Sequence, residues 1–187
     1  IRLSLVGSEM CIRDRSIEFR DMRLPREAIL GPEGGCMQAM FVSCTDEFLT
    51  CGPVGLGIAE GAYDMAFDYS MHRIQHGMPM YDRFQVTRHK LARMWMDIEQ
   101  LRGLVYSVHA MRDTGDLQLP QGRMLKILGA EVSERVAREA IQLYGGLGVI
   151  RDVGVERYWR DAKVLAIGGA SVEAMTEEIT QLLRPRN

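Results

Sequence analysis

The sequence lacks the patterns that would point to a membrane, a secretory route or a nucleic acid. No apolar run in its 187 residues reaches the roughly 18 residues that a membrane span needs. The first residues do not follow the charged, apolar and small-residue order of a secretory signal. With 23 basic and 25 acidic residues the formal net charge is −2, so a basic footprint for nucleic acid is missing. We therefore expect a cytoplasmic protein with neither a membrane segment nor a nucleic-acid partner.

Cysteine is scarce and poorly spaced for metal binding. The four cysteines are Cys11, Cys36, Cys44 and Cys51, and no two of them form a CxxC pair or have a histidine close by in the sequence. Structural zinc sites use closely spaced pairs of such ligands. We expect free, partly buried thiols of a reducing compartment and no metal site.

Apolar residues at helical spacing cover most of the chain. They predict helices over about residues 37–72, 84–112 and 122–144, with a polar loop at 113–121. A last helix begins near Ser171, a residue type favoured at helix N-caps, and ends before Pro185. Four such helices with short connections are typical of an all-α fold, an up-and-down four-helix bundle.

Two further features bear on this fold. Pro53 lies inside the first predicted helix, so there is either a kink or a new helix at that point. Ahead of the helices, Ile17 and Phe19 alternate with charged residues, which predicts a short N-terminal β remnant.

Two polar clusters at predicted helix ends are candidates for ligand binding. The first, HRIQHGMPMYDRFQ over residues 72–85, is either a solvated loop or an anion-binding corner with Arg73 facing a phosphate. The second, QLYGGLGVIRD over residues 142–152, is either a plain helix C-cap or a place where a ligand approaches the backbone closely.

A third cluster is VERYWRDAKVLAIGGASVE, residues 155–173. Arg160 and Asp161 could form a buried ion pair that fixes a loop ahead of the last helix. Gly168 and Gly169, just before that helix begins, could admit a ligand.

The three clusters together resemble the motifs of one family. They are Arg73, Gln75 and Gly77 followed by Phe84; Gln142, Gly145, Gly146 and Gly148; and Val155, Glu156 and Arg157 followed by Arg160, Asp161 and Ala162. In this order and at these helix boundaries, they are similar to the C-terminal helical domain of the FAD-dependent acyl-CoA dehydrogenases. The resemblance starts at Ser16. It implies that residues 16–35 are the end of a middle β-domain with its linker and that residues 36–187 are the helical bundle domain.

The resemblance implies an FAD site and its residues. In the family these motifs hold the pyrophosphate and adenosine of FAD across a subunit interface. One subunit would contribute Arg73, Gln75, His76 and Gly77, and the facing subunit Gln142, Gly145 and Gly146. A homodimer or homotetramer is therefore expected. His76 stands where the family usually has phenylalanine.

The family reaction needs a carboxylate that this sequence does not carry at the usual places. A glutamate removes the proton alpha to the thioester carbonyl of an acyl-CoA, and the electrons pass on to an electron-transfer flavoprotein. Aligned on the family motifs, the usual position just before the last helix is Gly169, and the alternative position on the first helix is Thr45. Glu47 and Asp46 are the candidate substitutes, although both could also face solvent near a helix start.

Two alternatives follow from the vacant base positions. Crotonobetainyl-CoA reductase-like members resemble this sequence in their Gly-Gly and Trp-Arg-Asp residues, here Gly168, Gly169 and Trp159 to Asp161. A reductase direction is therefore open. The chain could also be a non-catalytic subunit that completes the FAD site of a partner in a hetero-oligomer.

We interpret Glu173 as a residue of the first turn of the last helix and not as the base.

Residues 1–15 have no counterpart in the family. Leu5 to Arg15 reads as the translation of a transposase adapter used in sequencing, so we expect this segment to be an artefactual extension. On that expectation the natural sequence continues upstream of Ser16, and the fragment alone binds FAD poorly and is inactive.

Overall fold

The computed structural model describes residues 18–185, and within its first helix it leaves aside the side chains of residues 37, 38, 41–43 and 45. The regular elements are α1 (Cys36–His72), β1 (Ile74–Gln75), β2 (Met78–Pro79), α2 (Met80–Arg83), α3 (Gln85–Thr114), α4 (Leu119–Tyr144), α5 (Val155–Ile167) and α6 (Val172–Leu183). The all-α class is confirmed, and the four predicted long helices are α1, α3, α4 and α6. The predicted adapter segment lies outside the described residues.

One helix was missed by the sequence pattern. Residues 155–167 form α5, and not the loop that we expected. Its buried residues are only Val155, Ala162 and Leu165, spaced seven and three apart, and the charged residues between them conceal this face. The polar loop expected at 113–121 is correspondingly shorter, because α3 ends at Thr114 and α4 begins at Leu119.

The first helix passes through its proline. Pro53 lies inside α1, which is assigned as one helix of 37 residues. Close to this point α1 meets α4 at glycine positions. A Cβ placed on Gly55 would be only 2.3 Å from the carbonyl oxygen of Gly129, and one on Gly52 would be 2.5 Å from Leu125. The two helices therefore approach each other more closely here than side chains would permit.

The predicted N-terminal strand is not found in the described part of the chain. Glu18 to Arg20 are irregular and exposed, while Ser16 and Ile17 lie outside the described residues. A strand needs a hydrogen-bonded neighbour. Among residues 18–185 the one sheet pairs β1 with β2, in the connection between α1 and α3.

The core lies between α1, α3 and α4. Residues of all three helices pack together there, among them Ala62, Leu91, Leu101, Leu125 and Val136, each at most 2% exposed. Ser171 caps the N-terminus of α6 by accepting a hydrogen bond from the backbone N–H of Ala174, as predicted. No helix among residues 18–185 combines the length and the apolarity needed to cross a bilayer.

Candidate functional site

The first candidate cluster folds into a tight hairpin after α1. Ile74 pairs with Pro79 and Gln75 with Met78, and the turn between them consists of His76 and Gly77. Both turn residues have positive φ, 52° and 84°, which is the geometry of a two-residue type I′ hairpin. The turn therefore holds Gln75 and His76 in defined positions beyond the end of α1.

Arg73 precedes this hairpin as the C-cap residue of α1. Its carbonyl accepts a hydrogen bond of 2.8 Å from the N–H of Met80, which closes the hairpin. Its side chain is exposed, and within residues 18–185 it forms no ion pair. An exposed guanidinium without an ionic partner among the described residues can bind a phosphate.

The second candidate cluster forms the end of α4. Gly145 is the C-cap residue, with φ of 62°, a conformation that side chains disfavour. Side chains placed on Gly145 or Gly146 would meet nothing within 4 Å. Gly148, by contrast, is packed, because a Cβ there would lie 2.5 Å from the carbonyl oxygen of Ile141. The first two glycines thus leave the backbone open to a ligand, and the third anchors the turn.

The structure brings these two clusters to one end of the bundle. The rings of Tyr69, in the last turn of α1, and Tyr144, the last residue of α4, are stacked with centroids 4.1 Å apart. The hydroxyl of Tyr144 also donates to the carbonyl of Met65. At the same end His76 makes an edge-on contact with Phe84, at 6.4 Å between ring centroids, so the histidine keeps an aromatic contact.

These residues fit a dinucleotide pyrophosphate. An arginine without an ionic partner among the described residues and an open glycine backbone provide both the charge and the N–H groups that such an anion requires. Gln75 and Gln142 carry amide groups in the same two segments, and Gln142 is exposed. The stack of Tyr69 on Tyr144 therefore places the two candidate segments at the same end of the bundle.

A second site lies where α1 meets the segment between α5 and α6. A Cβ placed on Gly169 would lie 2.8 Å from Oε1 of Glu47. The Glu47 carboxylate thus stands in the space that a side chain at position 169 would enter. Gly169 has φ of 73°, so glycine suits this position on conformational grounds as well. Glu47 is exposed, so a ligand can reach it.

The other candidate base is engaged elsewhere. Oδ1 of Asp46 accepts a hydrogen bond of 2.6 Å from Nη2 of Arg112 on α3. This exposed ion pair ties Asp46 to α3, whereas the carboxylate that lies against position 169 is that of Glu47. Thr45 belongs to the residues whose side chains are not described. Of the two candidates, the geometry favours Glu47.

Two buried groups, Lys126 and Cys51, lie close to the site where Glu47 meets Gly169. Lys126 of α4 is fully buried, and its ammonium donates a hydrogen bond to the carbonyl of Ala170. Burial lowers the pKa of Lys126, against the opposing effect of Cys51, Glu47 and Glu173. Burial raises the pKa of the Cys51 thiol, with a smaller opposing effect from Lys126. Sequence reasoning missed Lys126, because a lysine within an apolar helical face gives no signal of what lies opposite.

Glu173 lies in the first turn of α6, as interpreted from the sequence. Hydrogen bonds from its own backbone N–H and from Ser171 lower its pKa, so the carboxylate stays ionised at the helix N-terminus.

The described cysteines Cys36, Cys44 and Cys51 are free, as expected. Residues 18–185 contain no cluster of His, Cys, Asp and Glu that could hold a metal ion.

The predicted ion pair between Arg160 and Asp161 is wrong. Arg160 pairs with Glu156, at 2.5 Å from Nε to Oε2, and Asp161 pairs with Arg157 at 3.3 Å. All four residues lie on α5, so each pair joins positions four apart on the helix surface. Adjacent residues of a helix point in different directions, which is why Arg160 and Asp161 do not meet.

Comparison with known proteins supports a single assignment. The family model for the acyl-CoA dehydrogenase C-terminal domain matches residues 43–183. The chain is 35% identical to a short-chain specific acyl-CoA dehydrogenase of Megasphaera elsdenii, over 80% of this chain and 39% of that protein. It is 31% identical to the mitochondrial short-chain specific acyl-CoA dehydrogenase of Homo sapiens, over 80% of this chain and 36% of that protein.

Solved structures share the fold. The butyryl-CoA dehydrogenase of Megasphaera elsdenii superposes with a TM-score of 0.83 at 34% identity, over 89% of this chain and 43% of that one. A chain from a structure described as the electron transferring flavoprotein of Acidaminococcus fermentans gives a TM-score of 0.83 at 32% identity, over 89% of this chain and 44% of that one. The chain thus spans about two fifths of the length of the relatives it matches.

The helical bundle is therefore of the class found as the C-terminal domain of dehydrogenases. The chain belongs to the acyl-CoA dehydrogenase family, and the matched part is that family's C-terminal domain.

Proposed function

We propose that this chain is the C-terminal part of an FAD-dependent oxidoreductase that dehydrogenates an acyl-CoA thioester between its alpha and beta carbons. Family membership and the dehydrogenase names of the relatives support the reaction class. The observation that carries the proposal is the position of the Glu47 carboxylate beside Gly169. Gly169 stands where the family usually has its catalytic glutamate, so Glu47 supplies an acid–base group at a position where the aligned sequence has none.

In this proposal the end of the bundle defined by Tyr69 and Tyr144 binds FAD. Arg73 of one subunit neutralises the pyrophosphate, while the open backbone at Gly145 and Gly146 of the facing subunit donates N–H groups to it. Gln75 and Gln142 bind polar groups of the nucleotide, and His76 and Gly77 shape the turn that holds Gln75. FAD, when bound, supplies the acceptor for the hydride that leaves the beta carbon.

Glu47 acts as the base. Its carboxylate takes the proton from the alpha carbon and becomes a carboxylic acid, while the electron pair of that C–H bond stays on the substrate. Position 169 carries hydrogen instead of a side chain, which leaves room for the Glu47 carboxylate at that point. A part of the complete enzyme that covered Glu47 and Gly169 would exclude water from the site and favour proton transfer to Glu47 at working pH.

The assembly and its partners are part of the same proposal. We propose residues 16–35 as the end of a middle β-domain and 36–187 as the bundle domain, in a homodimer or homotetramer whose facing subunits complete each FAD site. Electron-transfer flavoprotein is the proposed acceptor of the electrons that leave the reduced FAD, supported by the Acidaminococcus fermentans match. A cytoplasmic location is consistent with the free thiols of Cys36, Cys44 and Cys51.

The catalytic role is tested in a complete reading frame recovered from the source DNA. We expect Glu47→Gln to retain flavin and to lose about 10²-fold or more in kcat, because the proton then has no acceptor. Glu60→Gln is the matched control, since Glu60 lies on the same helix and pairs with Arg102. Unchanged turnover in Glu47→Gln would rule out Glu47 as the base, and turnover that appears only with a partner subunit would favour the non-catalytic subunit.

An exchange variant sharpens this test. In Glu47→Gly with Gly169→Glu, the carboxylate returns to the position just before α6, where the family usually carries it. We expect partial recovery of activity relative to Glu47→Gly alone, reduced by the strain of a side chain at a positive φ. No recovery, with flavin content intact, would argue against a shared site for the two positions.

The cofactor role is tested separately by flavin content. Arg73→Gln should reduce bound FAD in the purified complete enzyme, whereas Arg93→Gln, at another exposed arginine, should not. Equal FAD content in the two variants would contradict the assignment of Arg73.

A further inference from the structure

Lys126 occupies an unusual position for a lysine. It has 0% exposure, in the first half of α4, and Gly52 of α1 packs against its neighbour Leu125. Fully buried lysines are rare, because the ammonium loses its hydration. A methionine would fill the same space without that cost, so packing alone does not explain a lysine here.

The ammonium of Lys126 reaches the candidate catalytic site formed by Glu47 and Gly169. It donates to the carbonyl of Ala170, the residue next to Gly169. Gly169 in turn lies against the Glu47 carboxylate. These two contacts link the Lys126 side chain to the segment 168–171 and, through Gly169, to the end of the Glu47 side chain.

The titratable groups around Lys126 come from two helices. Glu47 and Cys51 face it from α1, and Glu173 faces it from α6. No carboxylate among residues 18–185 lies within 4.0 Å of its nitrogen in an ion pair. The neighbouring salt bridge of α4, between Arg123 and Glu178 at 2.8 Å, already ties α6 in place. α6 is therefore attached to α4 by a salt bridge that does not involve Lys126.

We propose that Lys126 is a positioning residue for the candidate base: its ammonium holds the segment 168–171 through the Ala170 carbonyl and attracts the Glu47 carboxylate to its place beside Gly169. The role of Glu47 as base rests on the proposed function. The attraction between Lys126 and Glu47 does not, and it can be tested without turnover.

The first experiment measures the titration of the Lys126 ammonium by NMR in the 187-residue chain. The carboxylates raise the pKa of Lys126 against the larger effect of burial. In Glu47→Gln the titration should therefore move to lower pH, and in Glu173→Gln it should move the same way. Glu60→Gln on α1 is the control and should leave it unchanged. An identical titration in Glu47→Gln and wild type would overturn the proposed attraction.

The second experiment uses the complete enzyme and compares Lys126→Met with Lys163→Met, a partly exposed lysine that pairs with Glu134 on α4. We expect Lys126→Met to fold and bind flavin, with kcat reduced about tenfold to a hundredfold and KM changed little, because the base is misplaced and not removed. Lys163→Met should keep its kcat. Normal kcat in folded Lys126→Met would overturn the positioning role.

The Lys126 titration and the turnover of Glu47→Gln in the complete enzyme together separate the positioning role of Lys126 from the catalytic role of Glu47. If Glu47→Gln shifts the Lys126 titration but keeps full turnover, the attraction is correct and Glu47 is not the base. If Glu47→Gln abolishes turnover without shifting the titration, Glu47 is the base and Lys126 does not position it.

Discussion

Tyr69 and Tyr144 stack with their ring centroids 4.1 Å apart and their planes within 16°, and this contact joins the last turn of α1 to the last turn of α4. Arg73 and the His76–Gly77 turn follow Tyr69 along the chain, and Gly145 and Gly146 follow Tyr144. Because the two tyrosines meet, the two segments proposed to bind FAD extend from one end of the bundle.

Replacing Tyr144 should therefore affect both stability and flavin binding. Tyr144→Leu loses the stacked ring and the hydrogen bond to Met65, and we expect the free energy of unfolding to fall by about 1–2 kcal/mol. Tyr106→Leu, at a tyrosine that is 69% exposed, should change it little. Chemical denaturation of both variants measures the difference, and equal stabilities would contradict a structural role for the stack.

Two nearby glycines of α1 should respond in opposite directions to alanine. Gly55→Ala places a Cβ 2.3 Å from the carbonyl oxygen of Gly129, so α1 and α4 must separate, at a cost of roughly 1–3 kcal/mol. Gly57→Ala meets nothing within 4 Å and should stabilise the helix by roughly 0.5–1 kcal/mol. Thermal unfolding of the two variants checks the prediction. Stabilisation by Gly55→Ala would mean that the two helices are not in close contact.

Lys126 should make stability depend on pH in the alkaline range. Its pKa in the folded chain is lowered below 10.5, so between that lowered value and 10.5 the unfolded chain binds more protons than the folded one. Stability contributed by this group therefore rises with pH across that window. Cys51 acts in the opposite sense above 9.0, because its pKa is raised in the folded chain.

To isolate the lysine, the comparison is made with Cys51→Ala in both chains. The stability of the chain that keeps Lys126, relative to its Lys126→Met counterpart, should increase as the pH rises toward 10.5. Urea denaturation at a series of pH values measures this difference. A difference that is constant or decreases with pH would contradict a buried lysine with a lowered pKa.

The described cysteines should react at different rates. Cys36 is exposed, Cys44 is intermediate and Cys51 is buried, so access falls toward Cys51, and the raised pKa of Cys51 lowers its own reactivity further. Alkylation of the native chain followed by peptide mass spectrometry should show Cys36 labelled first. Cys51 should be labelled chiefly after denaturation. Rapid native labelling of Cys51 would contradict its burial.

Several elements could be predicted because their signals are local. The apolar residues of α3, such as Leu91, Met94 and Ile98, recur at three and four positions, and the structure buries each of them. Ser171 and Gly145 marked a helix start and a helix end by their own conformational preferences. The helix α5 was missed because its buried face has only three residues within a charged segment.

The sequence by itself determined the helical class, most helix boundaries, and the motifs that resemble the acyl-CoA dehydrogenases, since these depend on neighbouring residues. Only the tertiary structure decided which distant residues meet. Glycines where α1 crosses α4 set the two helices close together, and the segment after α5 then places Gly169 beside Glu47 and Ala170 above Lys126. Such contacts depend on how packed helices cross, and that is not a local property of the chain.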